Sequence, residues 1–359
     1  MRMSRPLSAA VVLALSAMAC ESPTTTEQLV EPQFASNGTP IDASKNAIDL
    51  AVIGDVPYGA GAANLFPTLI ESINRDASVR RAVHVGDTKS GSTVCSDEWF
   101  HFIYDSFESF KDPLVYTPGD NEWTDCHRNN NGNWNPVERL ARIREIFFSN
   151  PGQTLGGRSK ATDAQHGYPE NVMWMESGVV FAAIHLVGSN NNLAPWTCYL
   201  PFDTACPNGD APETPAMASI REAEWQGREA ANRAWLEKAF DLADQRKASG
   251  VVIFSHGDMW HPEDVLDPDV SFSGHQLFVE RLAARSAAFE KPVILFAGDS
   301  HDFRVDHPLV GDALYGAPDA PNLTQITVDR SIEDDIVWLK LHVDPRSEEV
   351  FSWEEVTVQ

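Results

Sequence analysis

Six residues of this 359-residue chain have types and positions suited to binding cations: Asp55, Asp87, Asp120, His256, Asp299 and His301. Carboxylates and imidazoles arriving from separate segments are what a hard divalent ion requires, because its ligands must converge from several directions. Asp55, Asp87, Asp120 and Asp299 each follow a glycine at the end of an apolar run, and His256 follows Ser255 in the same way. One Gly-Asp after a strand is ordinarily a turn or a helix cap. Five runs with the same kind of ending point to a shared site instead.

The elements that must carry these residues alternate. Apolar runs at 48–53, 82–85, 114–117, 179–186, 251–254 and 293–297 read as strands, with further strands expected at 336–343 and 350–353. Helical stretches are expected at 65–76, 98–110, 137–148, 220–247 and 277–289. Short strands alternating with helices predict an α/β fold, and continuous apolar runs predict strands covered on both faces. In such sheets ligands gather beyond the carboxyl ends of the strands, where the six residues fall. The Asn- and Pro-rich stretches 127–135 and 188–215 read as long surface loops, and Ser189 to Asn192 is expected as a turn at the mouth of the site.

The order of the blocks resembles that of the calcineurin-like metallophosphoesterases and the purple acid phosphatases. The blocks are Gly54-Asp55-Val56-Pro57-Tyr58, Gly86-Asp87, Gly119-Asp120-Asn121-Glu122, His256 and Gly298-Asp299-Ser300-His301, with Trp235-Leu236-Glu237 ahead of the His256 strand. The resemblance implies a central two-sheet β-sandwich flanked by helices, in one domain over 48–359. It implies phosphoester hydrolysis at two divalent ions, with a metal-bound hydroxide attacking phosphorus. Asp55 and His301 would hold the first ion, Asp87 would bridge, and His256 would hold the second. Pro57, Asp120, Asn121 and Asp299 depart from the family pattern. With four carboxylates and two imidazoles, the set favours Mn²⁺, Mg²⁺, Ca²⁺ or Fe over Zn²⁺. Asn121 stands at the position of the usual acid and cannot donate a proton. The substrate therefore has a good leaving group, or one of His127, His185 and His261 serves; His185 and His256 join Asn121 as the residues expected in catalysis. The rival expectation is a catalytically degenerate binding protein that keeps the fold.

Composition narrows the partners. Basic residues number 27 and acidic residues 52, for a net charge of −25, which opposes nucleic acid and anionic lipid. The expected partner is a small phosphoester. Arg2 and Arg5, an apolar run and Ala17-Met18-Ala19-Cys20 read as a lipoprotein signal over 1–20, with Cys20 lipidated and 21–47 a polar tether. That places the chain at the bacterial outer membrane, held there only by its lipid. Cys95, Cys126, Cys198 and Cys206 remain, an even number that suggests two disulfides. Cys198 with Cys206 and Cys95 with Cys126 is the expected pairing, with the other pairings open. Arg304 is expected either to meet a phosphate or to pair with Asp302 or Asp306. Trp123, Trp134, Trp174, Trp196 and Trp260 are expected mainly as packing residues.

Overall fold

The computed structural model describes residues 39–42, 44–197, 211–261, 265, 271–331 and 336–358. The expected signal segment with Cys20, and Cys198 with Cys206, lie outside these residues. Among them, no helix is long and apolar enough to cross a membrane.

Alternation within the strands builds two sheets face to face. In β1 (Ile48–Ile53), Leu50 and Val52 point into an inter-sheet core, while Ala51 and Ile53 pack on helices. The first sheet joins β1 to β2 (Val79–His84) and β3 (Leu114–Tyr116) in parallel, and to β11 (Val337–Val343) and β12 (Phe351–Thr357) antiparallel, in the order β12-β11-β1-β2-β3. The second sheet has the order β4-β5-β6-β7-β8-β10-β9. Its members are β4 (Asp163–Gln165), β5 (Tyr168–Glu176), β6 (Val179–Ala183), β7 (Val251–Phe254), β8 (Val293–Ala297), β9 (Arg304–Asp306) and β10 (Leu323–Thr327). Its four central strands β6, β7, β8 and β10 run parallel.

Helices cover both outer faces. α1 (Gly59–Arg75), α2 (Asp97–Glu108) and α3 (Pro136–Phe147) lie on the first sheet through Phe66, Phe100, Phe107 and Ile143. α4 (Pro215–Arg246) and α5 (Gln276–Phe289) lie on the second through Trp235, Phe240, Phe278 and Leu282. The structure is thus the expected mixed α/β sandwich of two sheets flanked by helices. Between the sheets, Trp174, Phe181, Phe254 and Phe296 stack strand by strand, with adjacent ring centroids 5.1, 6.5 and 5.2 Å apart. Such pairs contribute about 0.5–1.5 kcal/mol each beyond burial, and here they fix the relative height of the strands that end at the site.

Several expectations needed correction. Helix α4 begins at Pro215 rather than near residue 220, because the Thr214 side chain accepts from the Met217 amide and Pro215 occupies the first turn. β5 escaped notice because Glu170 and Asn171 interrupt its apolar run; both are buried, and partners inside the protein satisfy them. β4, β9 and β10 do not stand out as apolar runs either, and the stretch expected at 179–186 ends as a strand at Ala183. Contacts start upstream of Ile48: Ile41 bridges Met175, and the Thr39 hydroxyl donates to Asp163. The last residues of the expected tether therefore lie along β5.

Candidate metal centre

The parallel strands deliver the six residues to one end of the sandwich. β1 leads to Asp55, β2 to Asp87, β3 to Asp120, β7 to His256, and β8 to Asp299 and His301. Asp55, Asp87, Asp299 and His301 all have positive φ, between 54° and 71°. Left-handed backbone outside glycine is a strained choice that clusters at functional sites. Two groups of potential ligands result: Asp55, Asp87 and His301, and Asp87, Asp120 and His256. Within each group the ligand atoms lie within 4.8 Å of one another, and Asp87 belongs to both.

The donors suit cations. His256 Nδ1 lies 3.1 Å from the Val85 carbonyl oxygen, so Nδ1 carries the hydrogen and donates. Its Nε2 then faces Asp87 Oδ1 at 3.2 Å, Asp120 Oδ1 at 3.4 Å and Asp299 Oδ1 at 3.8 Å, a nitrogen that can offer its lone pair to a cation or hold a proton in its place. Asp55 Oδ2 is likewise buried without a partner. Four acceptors facing one another need a positive charge among them.

Tyr58 adds a further oxygen. Its hydroxyl lies 3.1 Å from Asp55 Oδ1 and 3.2 Å from His301 Nε2, and also reaches Asp87 Oδ2. One phenol hydrogen cannot serve two carboxylates. The glycines make room. A Cβ on Gly119 would stand 2.1 Å from Asp87 Oδ1, and one on Gly188 would stand 2.7 Å from Asp120 Oδ2 and 2.8 Å from both Asp299 oxygens. The oxygen-rich donor set fits hard divalent ions, with Asp87 as the bridge.

Titration behaviour reflects the crowding. Burial pushes the Asp55 carboxyl up to about 6 against the opposing pull of His256. Burial also holds Asp87 and Asp299 well above the ordinary carboxylate range, and neighbouring Asp120 adds to both shifts. For Asp120 burial acts the same way but is outweighed by His256, Arg128 and Ser189, which hold it below its usual value. Burial acts to lower His256, but Asp87 and Asp120 override it and raise it well above an ordinary imidazole.

Above the clusters opens a cavity of about 810 Å³. Its walls include Asp87, Asp120, Asn121, Asp299 and His301 from the expected set; Asp55 and His256 lie beneath. Asn121 is taken up with orienting Asp87, through its backbone N–H at 3.1 Å and its side-chain amide, and it also donates to Tyr58. His185 is a correction. It is fully buried, off the cavity, with Nδ1 on Glu170 at 3.0 Å and Nε2 accepting from Trp123 at 3.1 Å, so it has no free nitrogen for chemistry. His127 is engaged with Thr197, while His261 lines the cavity. Arg304 pairs with Asp258 at 2.7 Å and with Asp306, away from the cavity walls. Trp123, Trp174 and Trp196 are buried packing residues; Trp134 carries Arg139 on its face. The expected Cys95–Cys126 disulfide is present, with Cα atoms 5.9 Å apart, and ties the loop after β2 to the loop after β3.

Sequence reasoning missed Asp125 and Arg128 on the cavity wall. Their signal was an Asp and an Arg three apart, which pair at 2.6 Å across a 3₁₀ turn at Thr124–His127. Ser189 to Asn192, expected at the mouth of the site, does border it. All four residues in fact have left-handed backbone, with φ between 51° and 68°. The Ser189 hydroxyl reaches Asp120 at 3.1 Å and Asp125 at 3.0 Å. Arg228 clamps the turn from α4 through the Asn191 carbonyls.

No protein-family profile and no curated protein matches the sequence. Among solved structures, the chain is similar to purple acid phosphatase PPD1 from yellow lupin (Lupinus luteus) seeds, with a TM-score of 0.47 and 11% identity over 89% of this chain. The chain covers 55% of the length of that phosphatase. It is also similar to GAP50, the anchor in the inner membrane complex of Plasmodium, with a TM-score of 0.41, 12% identity, and coverage of 87% of this chain and 89% of that one. Likeness at this level leaves function to be argued from the site.

Proposed function

We propose that this chain is a metal-dependent phosphoester hydrolase. The observation that carries the reading is Asp87, one carboxylate shared by two adjoining ligand groups at the floor of an open cavity. Asp55, Tyr58 and His301 would complete the first ion's set, and Asp120 and His256 the second's. When bound, two divalent ions supply Lewis-acid polarisation of phosphate and activation of water. The protein's own part is positional. Asn121, in the turn after β3, holds both Asp87 oxygens, Oδ1 through its backbone N–H and Oδ2 through its side-chain amide. Val85 fixes the tautomer of His256, as an outer hydrogen bond does for many ligand histidines. Among the described residues, His261 is the cavity-wall imidazole outside both groups.

Metal analysis of the purified protein, with turnover of an aryl phosphate, tests the proposal. The wild type should carry two divalent ions and turn over. Asp87→Ala should lose both ions and roughly a thousandfold or more in turnover, the scale of several kcal/mol of lost Lewis-acid stabilisation. A metal-loaded wild type without turnover supports the degenerate binding protein instead. Full metal content in Asp87→Ala sinks the shared-ligand reading.

A further inference from the structure

Two arginines line the cavity, and they are used differently. Arg221 is spent. Its Nε and Nη2 both donate to Glu213, at 2.7 and 2.9 Å, and its Nη1 donates to the Leu193 carbonyl at 2.9 Å. Arg128 is held at one corner only, with Nη1 on Asp125 Oδ2 at 2.6 Å. Its Nε and Nη2 meet no hydrogen-bond partner among the described residues, and its side chain is 43% exposed. Those two nitrogens form the side-on edge of the guanidinium, whose parallel N–H groups match two oxygens of a phosphate or carboxylate.

The mounting is firm. Asp125 is buried and also meets the Ser189 hydroxyl. Cys126, between Asp125 and Arg128, is tied to Cys95. Across the cleft wall, Gly91 keeps the gap clear: a Cβ there would stand 3.8 Å from Arg128 Nη1 and 3.0 Å from the Asn121 side-chain oxygen. Asn121 in turn touches Asp87 and Tyr58. Arg128 thus lines the same cavity as the candidate metal ligands and lies near enough to Asp120 to lower its pKa, in a chain whose net charge of −25 repels anions.

We propose that Arg128 is the oxyanion receptor of this cleft and that it selects phosphomonoesters, an inference that rests on the phosphoester reading above. A diester has only two non-bridging oxygens, so it cannot give a pair to the fork and further oxygens to the centre. A monoester has three. The fork also neutralises the second negative charge that distinguishes a monoester from a diester.

The test titrates inorganic phosphate calorimetrically into metal-loaded wild type, Arg128→Lys and Arg128→Ala, with metal content checked for each. It also compares monoaryl with diaryl phosphate turnover. Arg128→Ala should bind phosphate at least about tenfold more weakly, the scale of one charged hydrogen bond. It should lose more kcat/KM on the monoester than on the diester, chiefly through KM. Arg128→Lys keeps a charge for Asp125 but lacks the fork, so it should recover only part of the binding; it also carries the test should the alanine variant lose metal. Phosphate affinity within about twofold of wild type in both variants, or equal losses on both esters, overturns the inference. A wild type that binds no phosphate overturns it as well, while turnover by the same preparation judges the hydrolase reading separately.

Discussion

Two buried polar clusters sit side by side at the strand ends, and their accounts of charge differ. Around His185, every group has its complement. Glu170 receives Arg144 at 3.0 Å and His185 at 3.0 Å, and Trp123 donates to the remaining imidazole nitrogen. Around His256, four aspartates and an imidazole nitrogen converge, and two atoms are left without hydrogen-bond partners. Both clusters place a histidine against carboxylates in a low-dielectric interior. One is closed by protein cations and donors; the other lacks a protein cation of its own and is closed by protons taken up or by a bound cation. The difference teaches that a functional histidine is told from a structural one by whether its second nitrogen is already used, a fact that sequence position does not contain.

The comparison can be broken from either side. The largest effect is expected in the closed cluster. Glu170→Ala leaves the Arg144 charge and the His185 N–H without their acceptor, and should cost about 3–5 kcal/mol in urea unfolding while leaving metal content intact. Loss of metal in that variant would mean that the two clusters are one unit. Next comes the open cluster. Removing metal from the wild type with a chelator should lower stability by about 2.7 kcal/mol, relative to free metal at a hundred times its dissociation constant. Asp87→Ala should show no such shift, and an unchanged melting curve for the wild type would count against the centre.

The smallest effect is a pH slope. Burial, the largest influence, lowers the pKa of His185 despite Glu170, so the folded state keeps it neutral below 6.5 while the unfolded chain takes up a proton. Stability from this group is therefore intact above pH 6.5 and falls as the pH drops below it, by at most about 1.4 kcal/mol per unit. Glu170 is held well below its ordinary value: burial opposes this, but Arg144 and His185 outweigh it. Its contribution is present above pH 4.5 and is lost under stronger acid. Urea midpoints from pH 7 to 4 should fall for the wild type, and between pH 7 and 5 they should fall at least as steeply for Glu170→Gln, which removes a group that raises the His185 pKa. A flat wild-type profile would remove the closed cluster from the account.

The alternation of strands and helices was legible because β7 and β8 are continuous apolar runs, and β1 is one from Leu50 on, with ends that carry the polar change. The same rule failed at β5, where polar residues face a network that only the folded chain supplies. Asp55, Asp87 and Asp120 could be found because glycine precedes each, and the carboxylate of Asp87 occupies the space a side chain on Gly119 would fill. Arg128 could not be found, since its meaning depends on which of its nitrogens Asp125 leaves open. His185 and His256 looked alike in sequence, each lying at or just past the end of an apolar run, and only their neighbours separate them.

The left-handed turn from Ser189 to Asn192 carries a consequence for how this protein can vary. A mirror-image stretch tolerates asparagine and glycine and penalises branched or bulky side chains by roughly 1–2 kcal/mol per residue. This wall of the cleft is therefore nearly closed to mutational exploration. The neighbouring Leu193, Ala194 and Pro195, and Ser271 and Ser273, which borders the turn through the Asn190 side chain, lie outside that turn on the same cavity. New substrate preferences in this scaffold should arise at those positions, with the turn inherited unchanged.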